Sequence, residues 1–304
     1  MTRLVALTGA TGFIGANLTR TLMTDGVGVR ALTRRPVSDD RAQEGLGWVT
    51  GSLDDEDALE RLVQGVDAVV HCAGAVRGAT RRSFEDTNAF GTARLVDAAA
   101  RQPTPPRFLL VSSLAAREPQ LSWYAASKRH GEELLRERAG GMPWAIFRPT
   151  AVHGPGDREM LPLFEWMRRG LLPVVGHAEG RITLLHVDDL VSAVVRWLGH
   201  TEPVPGVFEL NDGTEDGYDW RLIAGIAEQV WRRSVRRVQV PAVLLFALAG
   251  LNLGLANLIG YAPMLTPGKI RELRHPDWTS DNEPLTNALG WKPGIDLATA
   301  LREL

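Results

Sequence analysis

A strand-like run, Leu4-Val5-Ala6-Leu7-Thr8, passes directly into Gly9-Ala10-Thr11-Gly12-Phe13-Ile14-Gly15 and then into a helical pattern. Few folds accept that order of strand, glycine loop and helix. Gly9 permits a tight turn, Gly12 lets the backbone approach a pyrophosphate, and Gly15 lets the helix pack closely on the strand. The helix start then offers unpaired N–H groups and the positive end of its dipole to phosphates. The segment therefore predicts a dinucleotide loop at the start of a parallel α/β sheet.

The next residues keep that plan. Short apolar runs at 3–8, 28–33, 47–50, 68–72, 107–111 and 144–147 are bounded by Gly, Pro or polar residues, as strands covered on both faces should be. Helical patterns at 57–64 and 92–101 lie between them, and Pro103, Pro105 and Pro106 mark a helix stop. Beyond Pro149 the pattern loosens. Gly154-Pro155-Gly156-Asp157 reads as a loop, 161–169, 188–198 and 220–231 as helices, and 182–185 as a strand. The expected architecture is a doubly wound Rossmann sheet over residues 1–152, rejoined by 181–210. Residues 153–180 and 211–304 then form a smaller C-terminal substrate lobe and tail.

Cofactor choice is read near the end of the second strand. There the run Ala31-Leu32-Thr33-Arg34-Arg35-Pro36 carries no acid for a ribose diol, whereas Arg34 and Arg35 suit a 2′-phosphate. This favours NADP over NAD, with NAD left open. A net charge of −2 gives no sign of a nucleic-acid partner. One cysteine, Cys72, excludes a disulfide framework and a Cys-rich metal site, and no metal is expected. No secretory leader precedes the first strand, so a cytoplasmic setting is the expectation. Lysine occurs only at Lys128, Lys269 and Lys292, which makes each position informative.

The run Leu109-Leu110-Val111-Ser112-Ser113 reads as a strand ending in two hydroxyls, where ligands of such sheets sit. Tyr124-Ala125-Ala126-Ser127-Lys128 follows and opens a helix over 129–138. Tyr124 and Lys128, spaced i, i+4, share one helix face, and a nearby ammonium draws a phenol toward a useful acid–base range. Ser113 is placed to hydrogen-bond a carbonyl oxygen and stabilise its developing charge.

These residues resemble the extended short-chain dehydrogenase/reductase family, the NAD-dependent epimerase/dehydratase and 3β-hydroxysteroid dehydrogenase-like group. Further matches are His71-Cys72-Ala73-Gly74, Asn88, Arg148-Pro149, His186-Val187-Asp188-Asp189 and Leu289-Gly290-Trp291-Lys292-Pro293. The resemblance implies an alcohol/ketone oxidoreductase in which Tyr124 is the acid–base, Lys128 also holds the nicotinamide ribose, and Ser113 polarises the carbonyl. It implies cofactor contacts at Gly9, Thr11, Gly12, Phe13, Ile14, Gly15, Ser52, Leu53, Cys72, Ala73, Gly74, Asn88 and Pro149, beside Arg34 and Arg35. Related proteins commonly dimerise through two core helices per subunit, so a homodimer is a further expectation.

Departures from the family pattern narrow the chemistry. Ser52-Leu53 stands where Asp-Leu is usual, and His153 replaces a tyrosine. Leu114-Ala115 occupies the place of the Asp-Glu pair of sugar-nucleotide dehydratases, which leaves no agent there for eliminating water. The leading expectation is an oxidoreductase acting on a small or lipophilic substrate. Its rivals are a nucleotide-sugar epimerase using the same Tyr124 and Lys128, and a non-catalytic NADP-binding protein that senses redox state or stabilises an assembly.

One segment remains apart. No formal charge occurs between Arg237 and Lys269, and residues 241–265 are apolar. Leu244, Leu248, Leu251, Leu255 and Leu258 form a stripe at helical spacing, Gly250 and Gly254 permit close helix contact, and Arg232, Arg233, Arg236 and Arg237 precede it. A buried core helix or lid over an apolar substrate, a membrane-contacting helix and an oligomer interface all fit this pattern.

Overall fold

Each apolar run of the first half becomes a strand, and the strands pair in parallel. The structure is a computed structural model describing residues 4–37 and 44–304. Its dinucleotide half runs β1 (Leu4–Thr8), α1 (Phe13–Thr24), β2 (Gly28–Thr33), β3 (Leu46–Thr50), α2 (Glu56–Val63), β4 (Ala68–His71) and α3 (Arg81–Glu85). A π-turn at Asp86–Phe90 leads into α4 (Gly91–Ala100), β5 (Arg107–Val111), a 3₁₀ turn at Leu114–Arg117, α5 (Trp123–Arg138) and β6 (Trp144–Pro149). Of the expected first strand, Arg3 lies outside the described residues.

The remaining elements are β7 (Ala151–His153), α6 (Leu161–Arg168), β8 (Leu171–Val174), β9 (Arg181–Ile182), β10 (Leu184–His186), α7 (Val187–Gly199) and β11 (Gly206–Leu210). They continue with α8 (Trp220–Trp231), β12 (Arg236–Gln239), α9 (Ala242–Ile259), α10 (Pro267–Leu273), β13 (Asp277–Trp278), α11 (Glu283–Leu289) and α12 (Leu297–Arg302).

Seven parallel strands form the central sheet in the order β11-β6-β5-β4-β1-β2-β3. Alternation along each strand splits its side chains between two cores. Val5, Leu7, Val70, Leu109 and Phe147 pack with Leu18, Leu22, Val194 and Trp197 of α1 and α7. Ala6, Val69, Phe108, Leu110 and Ile146 pack with Leu59, Leu62, Leu95 and Leu135 of α2, α4 and α5 on the other face. Helices on both faces define the doubly wound class. The strand order reverses between β1 and β4, so the crevice beyond their C-terminal ends is the place for a ligand.

The seventh strand, β11, was not among the sequence-derived strands. It is a short edge strand that needs β6 beside it, register Phe208 to Phe147. The single strand expected at 182–185 is instead two. β9 pairs with β13 and β10 with β7, and Thr183 between them donates its hydroxyl to the Trp278 carbonyl (2.7 Å). The C-terminal lobe has its own core of Phe164, Met167, Leu172, Tyr218, Ile223 and Leu301. Asp189 of α7 ties the tail down, accepting from the Gly294 and Ile295 amides at 2.9 Å each. Two of the late motifs are thereby a structural clasp.

α9 is the exception to burial. Of its 18 residues only Ala249 and Ala256 are buried. The leucine stripe points outward, which removes the reading of α9 as a buried core helix or closed lid. Its inner face is small: Ala249 and Ala256 flank Asn252, whose Nδ2 donates to the Leu265 carbonyl (2.8 Å).

Candidate active site

The glycine loop has the shape its sequence demands. Gly9 sits at φ +76°, and a Cβ there would lie 2.7 Å from the Ala73 nitrogen and 2.8 Å from the Cys72 carbonyl carbon. A Cβ on Gly15 would lie 2.1 Å from the Gly9 oxygen, so β1, α1 and the Cys72-Ala73-Gly74 loop meet backbone to backbone. Gly12 is the N-cap of α1 and supplies no side-chain cap, which leaves the first-turn amides open to an anion. Thr11 is exposed, and Phe13 and Ile14 are half-buried. The cradle fits a dinucleotide pyrophosphate.

Arg34 and Arg35 follow the end of β2, both exposed, and neither guanidinium makes a hydrogen bond or ion pair among the described residues. Thr33 Oγ1 donates to the Arg35 carbonyl (2.9 Å) and shapes that turn. Ser52 is turned to local use, accepting from the Asp54 amide (3.1 Å), while the Leu53 side chain packs beside Gly91.

Asn88 is tied into the surrounding backbone. Its Oδ1 accepts from the Ala75 amide (2.7 Å), and its Nδ2 donates to the Ala75 carbonyl (3.0 Å) and to Ser127 Oγ (2.9 Å). The side chain is fully engaged in fixing the loop after β4 against α5. It lies in the π-turn, an irregularity common at functional sites. Gly131 of α5 leaves room for this approach, since a Cβ there would lie 2.3 Å from the Asn88 oxygen.

Ser113, Tyr124 and Lys128 converge on the crevice. Ser122 N-caps α5 through the Ala125 amide (2.9 Å) and so sets the helix phase that aims Tyr124. Ser113 hydrogen-bonds the Tyr124 phenol, and its Oγ also accepts from the Ala115 amide (3.2 Å). Lys128 is buried; its Nζ donates to the Val111 carbonyl (3.1 Å) and lies against Gly74. Burial pushes its ammonium down to about 8, against the opposing pull of Cys72 and Glu132. Burial also pushes the Cys72 thiol up to about 12, so it is no nucleophile at neutral pH.

The sequence pairing of Tyr124 with Lys128 needs one amendment. Burial raises the phenol above its ordinary value, the Ser113 hydrogen bond opposes this, and the cation acting on it is Lys269 of α10. Lys269 Nζ stands 6.0 Å from the Tyr124 ring centre. Lys128 is directed instead at the Val111 carbonyl, at the end of β5. No sequence motif marked Lys269; only its rarity as a lysine did.

At the end of β6, Pro149 is buried and the neighbouring Thr150 Oγ1 is buried without a hydrogen-bond partner. An orphaned hydroxyl at this edge of the crevice is a fit for a polar ligand group. His153 lies deeper, between Phe164 and His186 at 5.5 Å from each ring, away from Tyr124's cluster. Its role is structural.

Comparison with known proteins agrees with this geometry. Residues 5–210 match the model of the NAD dependent epimerase/dehydratase family. The chain belongs to that family. A ceramide reductase of Caulobacter vibrioides is 38% identical over 293 residues, 96% of this chain and 90% of its own length. A 3 beta-hydroxysteroid dehydrogenase/Delta 5-->4-isomerase of Mycobacterium tuberculosis is 29% identical over 86% of each chain. Among solved structures, a dTDP-glucose 4,6-dehydratase of Streptomyces venezuelae, with NAD and TYD bound, superposes with a TM-score of 0.73 at 23% identity. It covers 99% of this chain and 95% of its own, and shows the shared fold. This member of the family is an NAD(P)-dependent oxidoreductase of the extended short-chain type, and it interconverts an alcohol and a carbonyl.

Proposed function

We propose that this chain is an NADP(H)-preferring reductase of a long-chain, lipophilic carbonyl, working at a membrane surface. The observation that carries the substrate class is α9: an 18-residue apolar helix whose outer face is bare and whose following segment leads straight into α10 beside Tyr124. Its length and composition suffice to cross a bilayer, at about 27 Å for 18 residues. Asn252 ties it to the following segment at Leu265, and Ala249 and Ala256 keep one face buried, so it lies in the interface rather than spanning it. Arg232, Arg233, Arg236 and Arg237, all exposed just before it, suit anionic headgroups. The Caulobacter relative named ceramide reductase supports a lipid of that class.

Residues 1–152 with 181–210 act as the dinucleotide half, and 153–180 with 211–304 as the substrate lobe. The Gly9–Gly15 loop and the α1 amides would hold the pyrophosphate, Arg34 and Arg35 the 2′-phosphate, and Lys128 the nicotinamide ribose. The bound dinucleotide supplies the hydride. Ser113 and Tyr124 hydrogen-bond the substrate oxygen, and Tyr124 gives its proton as the carbonyl becomes an alcohol. Lys128 remains charged below its pKa of about 8 and keeps the proton path cationic at neutral pH. Leu114 and Ala115, both buried, offer no acid for eliminating water.

The test is a titration with NADPH and NADH by reduced-nicotinamide fluorescence, followed by turnover of a long-chain ketone in mixed micelles and of UDP-glucose. Tighter NADPH binding that is lost in Arg34→Ala/Arg35→Ala, with ketone reduction, is expected. Equal NADH binding, or epimerised UDP-glucose without net cofactor turnover, would replace this reading with that of an epimerase.

A further inference from the structure

α10 brings a second lysine to the reaction centre, and three neighbouring groups fix it there. Thr266 N-caps the helix through the Lys269 amide (3.2 Å), so Lys269 sits in the first turn with a defined direction. Its Nζ donates to Glu272 Oε2 (2.9 Å), and Glu272 is almost fully buried. The other Glu272 oxygen accepts from the Ser122 hydroxyl, and Ser122 is the N-cap of α5.

The two helix starts are also pressed together. A Cβ on Gly268 would lie 3.0 Å from the Ser122 Cβ, and Arg271 Nε donates to the Leu121 carbonyl (2.7 Å). The relay Lys269–Glu272–Ser122 thus joins α10 to the turn that aims Tyr124. It would be an odd use of a buried carboxylate merely to clamp two helices. A buried ion pair carries a desolvation cost that apolar residues would avoid. Its geometry has a functional consequence, because the ammonium ends over the face of the Tyr124 ring.

We infer that Lys269, oriented by Glu272, is a positioning residue that sets the charge state of Tyr124 from the substrate-lobe side, while Lys128 serves the cofactor side. This rests on the reading of Tyr124 as the acid–base. The charged groups facing the phenol are Lys269 and Glu272 from α10, with the Ser113 hydroxyl from the β5 end. Lys269 in turn feels Glu272, Tyr124 and, from the loop before α6, Glu159. Lys128 lies one turn along α5, bonded to Val111. Lys269 stabilises phenolate and Glu272 opposes it, so the two partners of one ion pair act on Tyr124 with opposite sign.

The experiment is a pH titration of tyrosinate absorbance on the full chain with NADP⁺ bound, as the difference from Tyr124→Phe. Only three tyrosines are present, which makes the difference readable. Lys269→Met should move the Tyr124 transition up by about one pH unit, the size expected of a charge within several ångströms. Lys269→Arg should restore it, and Glu272→Gln should move it down. The alkaline limb of kcat for ketone reduction should follow the same order. An unchanged transition in Lys269→Met, or shifts of the same sign in Lys269→Met and Glu272→Gln, would overturn the inference. Retained turnover in Tyr124→Phe would instead sink the acid–base reading, while the titration would still report whether Lys269 acts on the phenol.

Discussion

Replacing Leu251 and Leu258 of α9 by serine isolates the membrane claim, because neither residue packs on the rest of the chain. They are 72% and 82% exposed, and the flanking Gly250 and Gly254 have open space around them. Fully burying a leucine is worth about 2 kcal/mol, so each residue at its observed exposure should contribute about 1.5 kcal/mol to insertion in an interface. The pair then contributes about 3 kcal/mol, roughly a hundredfold in partition coefficient. The assay is cosedimentation with vesicles of mixed neutral and anionic phospholipid, with sedimentation velocity in parallel. Wild type should bind and the double variant should bind roughly a hundredfold more weakly, with thermal stability unchanged. KM for a long-chain ketone presented in vesicles should rise while kcat for a short soluble ketone holds. Equal vesicle binding by both proteins would refute the reasoning. A wild-type dimer that the double variant converts to monomer, with no vesicle binding, would assign α9 to a subunit interface instead.

Other outcomes follow from the site. Gly9→Ala should weaken dinucleotide binding by at least about 2 kcal/mol, since positive φ and contact with Ala73 combine; isothermal titration measures it. Ser113→Ala should lower kcat about a hundredfold or more while leaving dinucleotide affinity near wild type, as loss of one donor to a developing oxyanion does. Acid should destabilise the fold through two buried histidines. Burial, reinforced by Lys128, lowers His71 to about 3, and burial with His186 nearby lowers His153 to about 4. Below pH 6.5 the unfolded chain binds protons that the native chain refuses, so stability falls progressively as pH drops toward 4, by about 2 kcal/mol per histidine between pH 7 and 5. Urea midpoints across that range check it. His153→Phe, which also removes a buried Nε2 without a partner, should abolish about half of the effect.

The sequence made the dinucleotide half legible because its constraints are local. Gly9 is required by its positive φ, Gly12 and Gly15 by their approach to the Gly9 carbonyl within the same loop, and the buried strands show as uninterrupted apolar runs. The parts that were not legible depend on tertiary neighbours. β11 has only five residues and a polar Glu209, and it exists as a strand through its pairing with β6. Asn88 was visible as a site residue, but its service as a brace between the Ala75 loop and Ser127 required both partners in view. α9 has the composition of a core helix, a lid or a membrane helix alike; only its exposure separates them. Lys269 is far from Tyr124 in the chain and carries no motif, so only the docking of α10 on Ser122 reveals it.

The central claim is a net hydride transfer to a lipophilic carbonyl. Its most direct test supplies NADPH deuterated at the transferring position, together with a long-chain ketone in vesicles, and analyses the product alcohol by mass spectrometry. The account predicts one deuterium on the carbinol carbon, formed at a rate that Tyr124→Phe nearly abolishes. An alcohol without deuterium, or no alcohol while UDP-glucose is epimerised by the same preparation, would contradict it.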